Sequence, residues 1–485
     1  MWWTQCLHRA RARASEPWAL GLLVAGALLG TACSPGAAPV PRGPHAAAAD
    51  FPPPNPPRCR RTLVAVAHPD DDVFFVNPEV RRTIRAGCSV DTVYLTAGDG
   101  GKPDRSTAVA YADRPQYGVR AAYAEMAEAD NRWKRADVDA GGRRLRSYLL
   151  DDRSRTSNVR LTFLDLHDGL PQGKQKNSLL RLFRGDRRSI ETFRGDGSYT
   201  EDQVLATVTT LVRQSRAERI LTLDHDNASF AFGLGGKVDH SDHGVGARYL
   251  RRVGYALGVP VSSYLGYTMS PLKANLSPGA VAEKDEVARW YIANRTCRAT
   301  GTCANVTPFK GPLQKDWDLW IHRQYQRTHR APRPGEILGD IGRTTFSTGR
   351  DPEQCLHAAT GPQNTGAVGI RACDGSGAQK WDMGPDSTIR PRLDRGSCLT
   401  ALPPAVGLQR CEHGHPSQQW TREPWRSATW KRAAWRISGS GHRCLYQDDR
   451  RLPARWDDRD QQSPELRLSD CGTLPRPELY WRWGG

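Results

Sequence analysis

The side chains best able to do chemistry in this chain fall in two short clusters. The first is His68-Pro69-Asp70-Asp71-Asp72; the second, about 170 residues further on, is Asp239-His240-Ser241-Asp242-His243. A histidine with an aspartate three residues on can offer one nitrogen and one oxygen to a divalent ion. A carboxylate next to such a pair, not itself bound, is placed to move protons. Asp242 alone would read as a plain helix N-cap, but two histidines flanking it within four residues exceed what a cap requires.

Each cluster needs an element to hold it. Leu63-Val64-Ala65-Val66-Ala67 is a short apolar run that reads as a buried strand, so the first cluster sits where a strand stops. In open α/β sheets, ligands bind at that carboxyl edge. Residues 78–86 read as a helix capped by Asn77. A second strand, 89–96, closes in Ala97-Gly98-Asp99-Gly100-Gly101, and a helix follows at 117–130, in which Arg120 faces the sheet end or is solvated. A third strand, 159–166, ends in His167-Asp168-Gly169; a helix at 201–213 precedes a strand at 220–223 that ends in Asp224-His225-Asp226. The second cluster opens a helix at 245–257, and further helices are expected at 280–292 and 317–325. Such alternation predicts an α/β domain with a mainly parallel sheet over residues 58–330, with loop insertions around 100–117, 140–158 and 168–200. Residues 331–352 read as a linker. No phosphate-cradling glycine loop is present.

His68-Pro69-Asp70-Asp71 followed by His240-Ser241-Asp242-His243 resembles the PIG-L (LmbE-like) zinc-dependent N-acetylglucosaminyl deacetylases over about residues 60 to 300. Asp168-Gly169 and Lys284 resemble further family positions. Three departures stand out: Asp72 where the family usually has Glu, a longer glycine-rich stretch at 227–238, and Val238 where some members have Tyr. The resemblance implies a Rossmann-like sheet and one zinc ion held by His68, Asp71 and His243, with a fourth position left for water. It implies Asp70 as general base, and His240, oriented and raised in pKa by Asp242, as the group that steadies the oxyanion. The implied activity is hydrolysis of the N-acetyl group of an N-acetylglucosamine-containing substrate, with release of acetate. Two alternatives are a non-catalytic carbohydrate-binding surface protein and a deacylase of another N-acylated amine, such as a glycolipid or secondary metabolite.

From residue 353 onward helical periodicity disappears, and Cys355-Leu356, Cys398-Leu399 and Cys444-Leu445 recur, each with a second cysteine downstream. Gln379-Lys380-Trp381 and Gln418-Gln419-Trp420 repeat as well, and Leu479-Tyr480-Trp481 is a worn third copy. Three such units resemble an all-β ricin-type β-trefoil lectin domain spanning 353–485. In that family the tryptophans pack the core, and sugar-binding repeats usually carry Asp soon after Cys-Leu, where this chain has His357, Thr400 and Tyr446. Tyr446 or Trp456 is then the candidate for stacking on a glycan, or is structural.

The chain has 485 residues and a net charge of +17, but its arginines are scattered and no nucleic-acid motif is present, which excludes nucleic acid as a partner. Residues 1–33 combine a basic start (His8, Arg9, Arg11, Arg13) with an apolar run at 18–30 too short to span a bilayer, and read as an export signal. Leu29-Gly30-Thr31-Ala32-Cys33 resembles the lipobox of bacterial lipoproteins, with Leu one place too far upstream; ordinary signal cleavage is the alternative. Residues 34–57 are a Pro/Ala-rich tether. The expectation is an extracytoplasmic protein that touches the membrane only through a lipid anchor. Beyond Cys6 and Cys33, ten of the twelve cysteines remain, none in a C-x-x-C motif, which predicts five disulfides between neighbours. Cys59 and Cys88 each precede a strand, so they share one sheet edge if those strands are parallel neighbours.

Overall fold

The computed structural model describes residues 59–102, 104–152, 157–226, 239–295, 307–340, 353–359, 366–425, 434–450, 465–472 and 475–484. The export signal, Cys33, the tether, residues 227–238, the Cys297/Cys303 pair and Trp456 lie outside them. Among the described residues no helix is long and apolar enough to cross a membrane.

The first half is an α/β domain whose elements run β1 (Thr62–Val66), α1 (Glu79–Arg85), β2 (Val90–Thr96), α2 (Arg105–Met126), β3 (Trp133–Arg135), β4 (Val138–Ala140), β5 (Arg143–Leu150), β6 (Val159–Leu166), α3 (Leu179–Arg184), β7 (Ile190–Glu191), β8 (Ser198–Tyr199), α4 (Glu201–Gln214), β9 (Arg219–Leu223), α5 (Ser241–Leu257), β10 (Val261–Tyr264), α6 (Pro278–Asn294) and α7 (Lys315–Ile321). The sheet order is β10-β9-β1-β2-β6-β5-β3, with β4 also on β5. The five strands from β10 to β6 are parallel, and β5, β3 and β4 extend the sheet antiparallel. Alternate residues of β1 point to opposite faces. Val64 and Val66 join one apolar layer with Phe74, Tyr123 and Tyr291, while Leu63 and Ala65 join another with Val208 and Leu250. Helices therefore cover both faces, and β1, central and fully buried, delivers the first cluster to the carboxyl edge.

All three expected loop insertions contain elements, the last of them α3, β7 and β8. The helix expected from 117 starts at Arg105, where the Asp104 side chain accepts the Thr107 N–H at 2.8 Å; Pro115 lies inside it. Its first turns are largely exposed, so they lack the apolar stripe that would have marked them. The segment 140–158 contains β5, whose pairing with β6 only the fold reveals. Arg120 stacks on Tyr117 and Tyr148, with ring centroids 4.4 and 4.6 Å away. The Cys59–Cys88 disulfide forms beside the parallel pair β1/β2, and Cys355–Cys373, Cys398–Cys411 and Cys444–Cys471 pair as neighbours.

The second half is all-β. Three hairpins, Gln354–Ala359 with Ala367–Ala372, Ser397–Leu402 with Ala405–Arg410, and Arg443–Asp448 with Glu465–Asp470, each begin with a Cys-Leu strand. The three-fold pattern extends to single bonds. Trp381, Trp420 and Trp481 are fully buried and donate Nε1–H to the carbonyls of Leu356, Leu399 and Leu445 at 2.9, 2.8 and 3.2 Å. Strand Ile337–Gly339, inside the stretch read as a linker, pairs with both Tyr480–Trp483 and the first hairpin. Its apolar Ile337 and Leu338 are buried there, which the flanking prolines and glycines concealed.

The two halves meet along α5. Arg248, Arg251 and Arg252 are buried and pair with Asp449, Asp340 and Glu478 of the β half. Below them Tyr255 stacks on Trp425 at 4.5 Å and leans on Tyr480 at 5.7 Å. The worn third Gln-x-Trp copy lies at this seam: Leu479 and Tyr480 pack against Tyr255, and neighbouring Glu478 takes the guanidinium of Arg252. Tyr446 packs on the same cluster, which gives it a structural use.

Candidate metal centre and active site

The first cluster leaves β1 in a tight turn and enters one π-helical turn, Asp72–Val76, buried throughout. The second begins α5, with His240 rather than Asp242 as the N-cap residue. Sheet order places β1 beside β9, whose end precedes α5, so the two clusters converge.

His68 Nδ1 lies 3.2 Å from His243 Nε2; Asp71 Oδ1 lies 3.0 Å from His243 Nε2, and its Oδ2 lies 3.5 Å from His68 Nδ1. Bonds of ~2.1 Å in a tetrahedral site put ligand atoms about 3.4 Å apart, so these three donors fit a single zinc-sized ion. Their chemistry, two imidazole nitrogens and a carboxylate, fits as well. The protonation pattern agrees with a cation here. Burial alone would pull His243 down, but Asp71 and Asp239 outweigh it and raise it to about 10. Burial pushes Asp71 up, yet His243 and His68 hold it well below the usual carboxylate range.

His243 is set by Asp239, whose Oδ1 lies 2.7 Å from Nδ1 and leaves Nε2 free for the ion. Asp239 is fully buried and also receives the His240 N–H at 2.9 Å. Gly266 closes this pair: a Cβ there would stand 2.5 Å from Asp239 Oδ2 and 2.9 Å from His243 Nδ1. Sequence reasoning gave Asp239 no role, although its i, i+4 spacing from His243 was the available signal. Asp239→Ala should lower metal affinity by about 10–100-fold, read by titrating the metal-stripped protein. Unchanged affinity would remove Asp239 from the site.

Asp70 is the partly exposed carboxylate of the cluster. Its Oδ2 accepts the Tyr291 hydroxyl at 2.9 Å, a residue the sequence reading did not single out. Tyr291 is locked edge-on against Phe74 and pressed on Gly118, where a Cβ would lie 2.5 Å from its ring. Burial and Asp71 raise the Asp70 carboxyl, and Arg295, His68 and Tyr291 offset part of the rise. The direction suits a group that must accept a proton near neutrality.

The expected His240–Asp242 pairing is different in detail. His240 Nδ1 accepts the backbone N–H of Asp242 at 3.2 Å, so the ring proton resides on Nε2, which faces Asp168 Oδ1 at 3.4 Å. The Asp242 carboxylate stands 3.7 Å from Nδ1 and turns instead to the Gly169 N–H at 2.7 Å and His68 Nε2 at 3.4 Å. Backbone capping therefore sets the His240 tautomer, and Asp168 faces its donor. Asp99 supports this loop, accepting the Asp168 N–H at 2.7 Å and contacting His167 Nδ1 at 2.9 Å. Lys284 is structural: its buried Nζ donates to the carbonyls of Trp320 and Arg323 at 2.8 and 2.6 Å, tying α6 to the end of α7.

Asp72 is also accounted for. It accepts the hydroxyls of Tyr94 and Tyr123 and the Val73 N–H. Burial raises its carboxyl to about 7 against the pull of the two tyrosines. Asp72→Ala leaves two fully buried hydroxyls without this acceptor and should cost about 3 kcal/mol, measured by urea unfolding. A variant as stable as the parent would mean that the tyrosines find other acceptors.

The first half is thus an open α/β domain with a His/Asp donor set at the carboxyl edge of its sheet, and the second half is an all-β domain. Residues 63–253 match the family model described as GlcNAc-PI de-N-acetylase, PIG-L, and residues 344–456 match the ricin-type beta-trefoil lectin domain. The chain thus joins a segment similar to the PIG-L family to one similar to ricin-type trefoils. No curated protein matches it in sequence. Among solved structures, a non-toxic homologue of type II RIPs from Momordica charantia, solved with alpha-methyl-D-galactoside, is 19% identical with a TM-score of 0.21, covering 30% of this chain and 45% of that one. This chain therefore spans under half of that protein. The N,N'-diacetylchitobiose deacetylase from Pyrococcus horikoshii is 14% identical with a TM-score of 0.29, covering 49% of this chain and 72% of that one. The beta-trefoil lectin of the Vibrio vulnificus hemolysin/cytolysin, solved with N-acetyl-D-lactosamine, is 14% identical with a TM-score of 0.19, covering 30% and 89%.

Proposed function

We propose that this protein removes the N-acetyl group from an N-acetylglucosamine-containing glycan outside the cytoplasm, releasing acetate. The observation that carries the reading is the set of three donors 3.0–3.5 Å apart with the Asp70 carboxylate adjacent and unshared with them. His68, Asp71 and His243 would hold zinc, which as a Lewis acid polarises the amide carbonyl and brings the pKa of a water to about 7. Asp70, steadied by the Tyr291 hydroxyl, takes the proton from the attacking water and delivers it to the departing amine nitrogen. His240 offers Nε2–H to the oxygen that gains charge, its tautomer set by the Asp242 N–H that Nδ1 accepts. The trefoil supports a glycan as substrate, since a ricin-type module beside an amide hydrolase suits a polymer surface. The basic charge and the leader-like first 33 residues support action at an anionic cell envelope, by a lipid-anchored or secreted form.

The test is an acetate-release screen over cell-wall fragments, chitooligosaccharides and N-acetylglucosaminyl lipids, run with the isolated trefoil on a glycan array. Release from any N-acetylglucosamine substrate supports the reading and names its class. Release only from non-sugar N-acyl amines would move the substrate elsewhere, and no release from metal-loaded protein would leave a glycan-binding role.

A further inference from the structure

The strand end at Asp224-His225-Asp226 takes no part in the chemistry above, yet it builds a second cluster of metal-ligand chemistry. His225, Asp226 and His329 each offer one ligand atom, and these atoms lie within 4.8 Å of one another. His225 and Asp226 follow β9, whereas His329 lies beyond α7 on the stretch leading to the trefoil.

We propose that these three residues form a second divalent-metal site, structural in role, that staples the deacetylase half to the trefoil half. Asp226 Oδ1 lies 3.2 Å from His225 Nε2, and Oδ2 lies 2.9 Å from His329 Nε2. Despite those approaches neither Nε2 has a hydrogen-bond partner, although His225 is only 6% exposed. Both approaches lie near the ~3.4 Å ligand–ligand edge of a tetrahedral zinc site.

The far side of each ring is already held in the orientation a metal ligand needs. His225 Nδ1 contacts Ser263 Oγ at 2.6 Å, and His329 Nδ1 contacts the Glu353 carboxylate at 3.1 and 3.2 Å. Glu353 is buried at the start of the first trefoil hairpin, so the arrangement is a carboxylate–histidine–ion–histidine chain across the seam. Arg251 and Arg327 approach Asp226 only to 3.8 Å, because their nearer partners are Asp340 at 2.9 Å and Asp224 at 2.7 Å. A cavity of about 570 Å³ lined by His225, Ser263, His329 and Trp435 gives an ion its way in.

The experiment uses full-length, metal-stripped protein titrated with zinc and, in parallel, with cobalt(II) for its visible absorption. Wild type should take up two equivalents per chain. Asp71→Asn should retain one, with a cobalt spectrum of a low-coordinate nitrogen-rich site, and added zinc should raise its melting temperature. His225→Asn/His329→Gln should also retain one, and keep its acetate-release site. A wild type that binds one equivalent, or an Asp71→Asn protein that is folded yet binds none and melts at the same temperature with and without zinc, overturns the proposal. The latter result would leave a proton on His329 as the link between Asp226 and Glu353. Because the Asp71→Asn arm reads only the second site, failure of this inference is distinct from failure of the deacetylase reading.

Discussion

Asp70→Asn should lower kcat by about 10²–10⁴-fold, the usual contribution of a positioned general base, while metal content and KM stay near wild type. Asparagine preserves the size of the side chain and an acceptor for the Tyr291 hydroxyl, so the loss isolates the proton-transfer role. Burial and the adjacent Asp71 carboxylate raise Asp70, so its protonated, inactive form persists to higher pH than an ordinary aspartate would allow. Activity should therefore fall as pH drops through that raised value, and the variant should lack this acidic limb. Steady-state kinetics across pH, with zinc measured on the same samples, decides the matter. A variant that turns over at the wild-type rate would mean that another group moves the proton.

The second large effect lies at the seam. The helix that carries His240 and His243 is buried on every side as far as Tyr255, and the trefoil supplies much of that burial. Arg252 is 7% exposed and Glu478 is 3% exposed. Removing one partner of a buried pair costs about 3–5 kcal/mol, because the charge left behind is uncompensated. Glu201 still holds Arg252 Nη1 at 2.7 Å, so Glu478→Ala should cost about 3 kcal/mol in urea unfolding. Ending the chain before Ile337 removes Asp340, Asp449 and Glu478 together, along with the tyrosine and tryptophan that cover Tyr255. Such a fragment is expected to lose both ordered metal binding and acetate release. A soluble fragment of residues 59–331 with wild-type turnover would show that the trefoil is a passenger and not part of the catalytic scaffold.

What could be read from residues alone was whatever is local. A strand end bearing His68 and Asp71, and a helix start bearing His240 and His243, are short-range patterns, and so are the Cys-Leu repeats. The parts that escaped depend on partners far away in the chain. Tyr291 meets Asp70 across 221 residues, and inside α6 it reads as one more core aromatic. The acids that pair with Arg248, Arg251 and Arg252 arrive from the other half of the molecule, beyond the reach of any local pattern. Asp72 stood only as a departure from the family pattern, because proximity in sequence cannot show that its side chain turns toward Tyr94 and Tyr123. Asp242 was given the task that Asp168 has the geometry for, because adjacency suggested the pair and only the fold brings the loop after β6 to His240.

The measurement that bears most directly on the account is acetate release from an N-acetylglucosamine oligomer by the full-length protein before and after metal removal. Release should stop when the protein is stripped with a chelator and return when zinc is restored, and Asp71→Asn or His243→Gln should not recover. Release that continues in the stripped protein, or that zinc restores equally in those variants, would contradict it.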